Sequence, residues 1–297
     1  MSGLLSGLSK LGLAELEDLE VFKPGETGNV EKEEAAVVSK KLPQEADYLF
    51  DRKYVCPVCG SAITSKAVRS GHVKTVGTDM DLRPKYEQLD TLKYDIVACR
   101  VCGYAALARN FTDITESQIA LVQSKIKAAF KTQAEFTGSM YSYDDALERY
   151  KLALVSAIVK QDKTSERAYL CLKTAWILRG KREMLEAMLT EAKATGKKLK
   201  KEDAQLVSQI PELVKEEKAY LKNALEGFLG ARRTENFPMC GMDELTVDYL
   251  IAALATVFEQ YDVAKKLLGN ILVSRVASNR LKDKARDLKD TIAKVSQ

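Results

Sequence analysis

Apolar residues along this chain keep two rhythms. From Ile114 almost to the C-terminus they recur every three or four positions, as in YDDALERYKLAL and VDYLIAALATVF, the spacing of one face of an α-helix. Between Asp47 and about Phe111 they form short β-branched and aromatic runs separated by turn residues, as in RKYVC and KYDIVAC, which predicts strands. Interruptions near Thr137–Gly138, Gly180, Thr195–Gly196, Ile210–Pro211 and Asn236–Gly241 divide the helical stretch into several antiparallel helices. Ahead of both lies a segment in which Leu4, Leu8 and Leu11 would share one helical face before Pro24, Gly25 and Gly28 interrupt it. Glu15, Glu17 and Asp18 follow where a membrane-surface helix would carry Lys and Arg, so this face is expected to pack on protein. The pattern predicts an α+β multidomain protein. Residues 1–46 form an amphipathic segment and linker, 47–112 a small β-rich domain, and 113–297 an all-α domain.

Within the helical part a short pattern occurs twice. YDDALERYKLAL places Ala146, Tyr150 and Ala153 at helical spacing, and YDVAKKLLGNIL does the same with Ala264, Leu268 and Ile271. A small residue lets two helices approach closely, and the larger ones fill the next turns. Both segments resemble the second helix of a tetratricopeptide repeat, with the tryptophan and glycine of the first helix missing, which predicts a tetratricopeptide-like array of degenerate repeats.

Composition agrees with a helical bulk: 46% of residues are apolar, 30% are charged, and only 6 prolines punctuate the 297 positions, a length that suggests about two domains. The net charge of +4 is small for this length and creates no overall field that would mark a nucleic-acid or membrane-surface protein. No stretch approaches the ~20 uninterrupted apolar residues of a membrane span. The N-terminus lacks the basic and continuous apolar regions of a signal peptide, so a soluble, cytoplasmic protein is expected. In that reducing compartment paired cysteines read as metal ligands rather than disulfides.

The sharpest chemical signal is Cys56-Pro57-Val58-Cys59-Gly60 with Cys99-Arg100-Val101-Cys102-Gly103. Two residues between thiolates form a tight knuckle whose amides point at the sulfurs, and the following glycine relieves the backbone. Cys56, Cys59, Cys99 and Cys102 together supply a tetrahedral shell for one structural zinc ion, as in a zinc ribbon enlarged by the long insert between the pairs. A redox CxxC pair would need a helix N-terminus in a βαβ setting, and a catalytic zinc would need an open position; neither description fits these pairs. The lone histidine, His72, reads as a solvated loop residue. Asp79 and Asp81 sit among basic residues and read as partners in internal salt bridges. The segment from Asp47 to Phe111 carries ten basic and seven acidic residues, a balance of +3, with Tyr54, Tyr86, Tyr94 and Tyr104 among them. Weak contact with nucleic acid through stacking is one reading of these tyrosines, and core packing is the commoner one. Cys171 and Trp176 in YLCLKTAWILRG read as buried helix residues, and Cys240 in FPMCGM as part of a helix connection. No Ser-His-Asp set, phosphate-binding loop or dinucleotide fingerprint occurs, so no enzyme is expected.

The blocks CPVC, SKAVRSG, TDMDLRPKY, KYDIVACRVCGYAAL, YSYDDALERYKLAL, CLKTAWILRG and MDELTVDYLIAAL occur in this order. From about Leu4 to Asp290 the chain closely resembles the uncharacterised bacterial proteins of domain-of-unknown-function family 2225. Arg100 departs from the proline that many members carry after the first cysteine of the second knuckle. The resemblance implies a zinc-ribbon N-terminus joined to tetratricopeptide-like helices, without an established activity. Together these readings predict a zinc-binding protein-interaction adaptor or scaffold with a protein partner. A nucleic-acid-associated regulator using the ribbon insert is the alternative.

Overall fold

The computed structural model describes residues 44–196 and 200–295; the leucine segment with Leu4, Leu8 and Leu11 lies outside the described residues. Six short strands come first. β1 (Leu49–Val55) pairs antiparallel with β2 (Ala62–Val68), β3 (Thr75–Thr78) with β4 (Pro84–Tyr86), and β5 (Ile96–Ala98) with β6 (Ala105–Leu107). The helices then run as α1 (Glu116–Val122), α2 (Tyr143–Val159), α3 (Thr164–Thr195), α4 (Lys201–Val207), α5 (Ile210–Thr234), α6 (Glu244–Val257), α7 (Tyr261–Val273) and α8 (Asn279–Val295). The expected helical bulk with small antiparallel sheets is thus what the chain forms. Among the described residues no helix is long and apolar enough to cross a membrane.

Local chemistry fixes the helix ends. Ser142 accepts from the Asp145 amide while Asp145 accepts from the Ser142 amide, a reciprocal cap that starts α2. Asp243 caps α6 through the Thr246 amide at 2.7 Å. Gly196, at φ +64°, ends α3 in the left-handed conformation that glycine adopts without steric cost. Pro211 opens α5, where its missing N–H leaves no helical bond unmade.

The main core is built around α6, whose residues from Val247 to Ala255 are all buried, as expected of a helix apolar on every side. Its one buried charge, Asp248, receives two hydrogen bonds from Arg232 of α5 at 2.5 and 2.9 Å. The same core takes in α2, α3, α5, α7 and α8, and also Leu92, Ile96, Ala105 and Leu107 from the strand-rich segment. Residues on both sides of position 112 therefore share one apolar interior, and everything from Gln44 onward belongs to one compact unit.

Both Tyr-Asp segments are helical, and Ala146, Tyr150, Ala153, Ala264, Leu268 and Ile271 are buried. Their neighbours differ. α7 packs on the helices on both sides of it, α6 and α8, whereas α2 packs mainly on the helix after it, α3, and on β5 and β6.

The break expected at Gly180 does not occur, and α3 runs through it without interruption. Glycine stands there for a different reason: a Cβ would lie 2.6 Å from Tyr143 Cε1 and 2.8 Å from Asp90 Oδ2. The Tyr143 hydroxyl donates to that carboxylate at 3.2 Å, so α2, α3 and the strand-rich segment meet at this point. Gly→Ala within a helix normally stabilises by roughly 1 kcal/mol. Here overpacking should reverse the sign, and Gly180→Ala should lose about 1–3 kcal/mol in a denaturant titration. A neutral or stabilising result would mean that Tyr143 yields freely.

Candidate metal centre

Each cysteine pair forms the turn of a hairpin. Val55 pairs with Ala62 across the first knuckle, and Ala98 pairs with Ala105 across the second. The backbone bonding of the two knuckles is the same. The first cysteine amide donates to the carbonyl five residues on, Cys56 to Ser61 and Cys99 to Tyr104, at 2.9 and 2.8 Å. The glycine amide donates back to the first cysteine carbonyl, Gly60 to Cys56 and Gly103 to Cys99, both at 2.9 Å. That loop requires a left-handed residue at its end, and the two glycines supply φ of +74° and +76°.

The hairpins face each other so that the four sulfurs lie within 4.8 Å of one another. Cys56 Sγ is 3.6 Å from Cys102 Sγ, and Cys59 Sγ is 3.6 Å from Cys99 Sγ. A disulfide would bring sulfurs to about 2.05 Å. Four thiolates at about 2.3 Å from a tetrahedral ion lie about 3.8 Å apart, close to the spacing found. Cys56, Cys99 and Cys102 are buried and Cys59 is half-buried. This arrangement could hold a metal ion.

The electrostatics favour a cation at the centre. The Cys102 thiol is pushed far up by its hydrogen bonding to Cys56 and Cys99, and burial adds to the shift. Cys99 is held down because Cys102 and Cys56 bond to its sulfur. Four adjacent thiols, three of them buried, cannot all ionise against one another, whereas a bound divalent ion lets all four ionise together. Ser61 Oγ, 3.3 Å from Cys59 Sγ, adds a hydroxyl beside the least buried ligand.

A surrounding layer comes from further along the chain. α1 continues into a wide turn at Gln123–Lys127, and the stretch after it crosses both knuckles. Gln123 Nε2 donates to the Val58 carbonyl at 2.8 Å, the Gln133 amide donates to the Arg100 carbonyl at 2.9 Å, and Thr132 Oγ1 donates to the Val101 carbonyl at 3.3 Å. Phe130 and Ile126 sit against Gly103. Tyr104 and Phe111 pack with ring centroids 5.1 Å apart in the small core beneath the sulfurs, which also contains Val97, Ala106 and Val122. The sequence reading assigned residues from 113 onward to the helical part and missed this role.

Residues 49–292 match the family described as an uncharacterized protein conserved in bacteria, domain-of-unknown-function family 2225. The chain belongs to this family. No curated protein and no solved structure matches it.

In this member of family 2225 the other singled-out residues stand apart from the sulfur cluster. His72 is exposed on the turn Ser70–His72. Asp81 accepts two hydrogen bonds from Arg179, at 3.0 and 2.8 Å, and one from Trp176 Nε1 at 3.0 Å. Asp79 binds Lys85 at 2.7 Å and Arg179 at 3.2 Å, so both aspartates form the expected internal ion pairs. Cys171 and Cys240 are buried elsewhere, their thiols pushed up to about 11 and about 12 by burial. Tyr94 and Tyr104 are core residues, and Tyr54 and Tyr86 are half-buried.

The two knuckle glycines should respond differently to alanine. At Gly60 nothing lies within 4 Å of the added Cβ, whereas at Gly103 it would meet Phe130 at 2.5 Å. Gly60→Ala should cost about 1–2 kcal/mol for the left-handed backbone alone. Gly103→Ala should add about 1–3 kcal/mol of overpacking. Denaturant titrations of the two metal-loaded variants test this; equal losses would contradict the packing of Phe130 on the second knuckle.

Proposed function

We propose that Cys56, Cys59, Cys99 and Cys102 hold one structural zinc ion and that the protein is a zinc-stabilised, non-catalytic adaptor in the bacterial cytoplasm. The closed cage of four sulfurs carries this reading. Four thiolates are the preferred shell of structural zinc, and they leave no position for a substrate or a reactive water. Two knuckles on facing hairpins are the construction of a zinc ribbon, here enlarged by the β3–β4 hairpin inserted between them. The helices are read as a tetratricopeptide-like body. Support for a protein partner comes from a groove of about 480 Å³ in which Leu154, Ile158, Ala168 and Tyr220 are flanked by Arg167 and Glu226. Val155 and Ile158 are 47% and 52% exposed on α2, which suits the apolar side chains of a partner protein.

One experiment with two readouts tests both halves. Protein purified under reducing conditions should carry one equivalent of zinc, and Cys99→Ser should lose most of it; less than half an equivalent, or zinc unchanged in the variant, contradicts the metal assignment. Crosslinking in cells should recover a protein partner on the intact chain. Recovery of nucleic acid in its place would favour the regulatory reading over the adaptor.

A further inference from the structure

Two adjoining cavities lie on the strand-rich side of the unit and are lined by none of the four cysteines. They share Asp95 and Ala108, whose backbones are joined by a 2.8 Å hydrogen bond and form the ridge between them. The smaller cavity, about 290 Å³, is lined by Arg109, Tyr169 and Lys173 with Leu107 and the ridge. The larger, about 460 Å³, presents Arg52, Tyr54, Lys66, Tyr86, Thr91 and Tyr94.

The smaller cavity has cationic donors to spare. Lys173 is buried, and Asp95 Oδ2, 2.5 Å away, is the acceptor its ammonium has. An ammonium carries three donors, so two are without a protein acceptor among the described residues. Burial works against its charge, but Asp95 outweighs it and the pKa is raised, so the ammonium stays protonated. Arg109 lies over the same Tyr169 ring at 5.4 Å, with Lys173 at 5.1 Å, and among the described residues it donates to the Cys240 carbonyl alone. Two cations around one carboxylate leave the cavity with an excess positive charge. The Arg109 guanidinium, beside the Tyr169 ring, has donors left over that suit an oxyanion.

The larger cavity has the other half of a recognition site. Arg52 lies over Tyr54 at 5.3 Å and pairs with no carboxylate among the described residues, so its outer face is open to stack on a planar ring. Tyr86 stands half-buried on the same cavity, which Thr91 also lines. Lys66 is partly neutralised by Asp51 at 2.8 Å and adds little charge.

We propose that this double cavity is a nucleotide-binding site, with the base beside Arg52, Tyr54 and Tyr86 and the phosphate at Arg109 and Lys173. The ribose would cross the ridge, where Asp95 can accept from its hydroxyls. The volumes fall in the range of small-ligand sites, and the division into an aromatic and a cationic compartment matches the two ends of one nucleotide. This site goes beyond the adaptor reading and does not depend on it.

Calorimetric titration of the full-length, metal-loaded protein tests the proposal. The probes are nucleoside 5′-monophosphates, the matching nucleosides, inorganic phosphate, and a 5′-phosphorylated tetranucleotide. At least one monophosphate should bind saturably, and its nucleoside about tenfold more weakly or worse, since a charge-assisted phosphate contact is lost. Arg109→Ala should weaken nucleotide and phosphate alike by about tenfold, whereas Arg52→Ala should weaken the nucleotide and leave inorganic phosphate unchanged. Both residues are exposed, so neither variant is expected to compromise folding. Tighter binding of the tetranucleotide than of the monomer would identify a strand end as the source; equal or weaker binding would identify free nucleotide. Absence of saturable binding by every monophosphate at millimolar concentration would overturn the proposal, as would affinities unchanged in both arginine variants.

Discussion

The β5–β6 hairpin has to pack on both of its faces at once, and the rest of the molecule is arranged around that requirement. Side chains alternate across a strand, so paired residues point the same way. The Ile96–Leu107 pair enters the main core with the helices, while the Val97–Ala106 pair enters the small core beneath the sulfurs. Between them the Ala105 amide donates to Ser156 Oγ of α2 at 3.2 Å. The turn that closes this hairpin is the second cysteine knuckle. A metal held there would fix the wall on which α2 rests, and α1, with the turn after it, packs on the core beneath the sulfurs.

The β3–β4 hairpin is held differently, through charge. Arg179 of α3 reaches Asp79, Asp81 and Glu217 of α5, and Arg83 reaches Glu183 of α3 at 2.9 Å. Burial lowers the Arg179 pKa, but its bonds to Asp81 and Glu217 outweigh that and raise it, so the guanidinium remains charged inside the network. Buried ion pairs contribute orientation more reliably than stability. Here they give this hairpin, whose Val76 is 57% exposed and which has little core of its own, a defined seat on α3.

How much of this was legible in the sequence follows from how local each interaction is. The knuckles were readable because their cysteines and glycine sit within five residues, and the geometry they impose needs no distant partner. The helix breaks at Thr195–Gly196, Ile210–Pro211 and Asn236–Gly241 were readable for the same reason, whereas those that end α2, α6 and α7 carry no proline or glycine to mark them. Gly180 was misread because a glycine in a helical pattern signals either a break or a close approach, and the groups that approach it, Asp90 and Tyr143, lie far away in sequence. The sharing of one core across position 112 did leave a trace. β1, exposed over most of its length, mixes polar and apolar residues in LFDRKYV, whereas β5 reads as the unbroken apolar run IVA of a strand covered on both sides. The layer that the stretch from Gln123 to Gln133 lays over the knuckles left none, because its contacts run largely through backbone carbonyls.

That coupling between the metal centre and the helices is the central claim, and differential scanning calorimetry with and without a chelator measures it most directly. If β5–β6 serves both cores, the metal-loaded protein should unfold in one transition, and chelation should lower that transition as a whole, with the helical signal lost at the reduced temperature. A chelated protein whose helices melt at the original temperature, after a separate small transition for the strands, would contradict it.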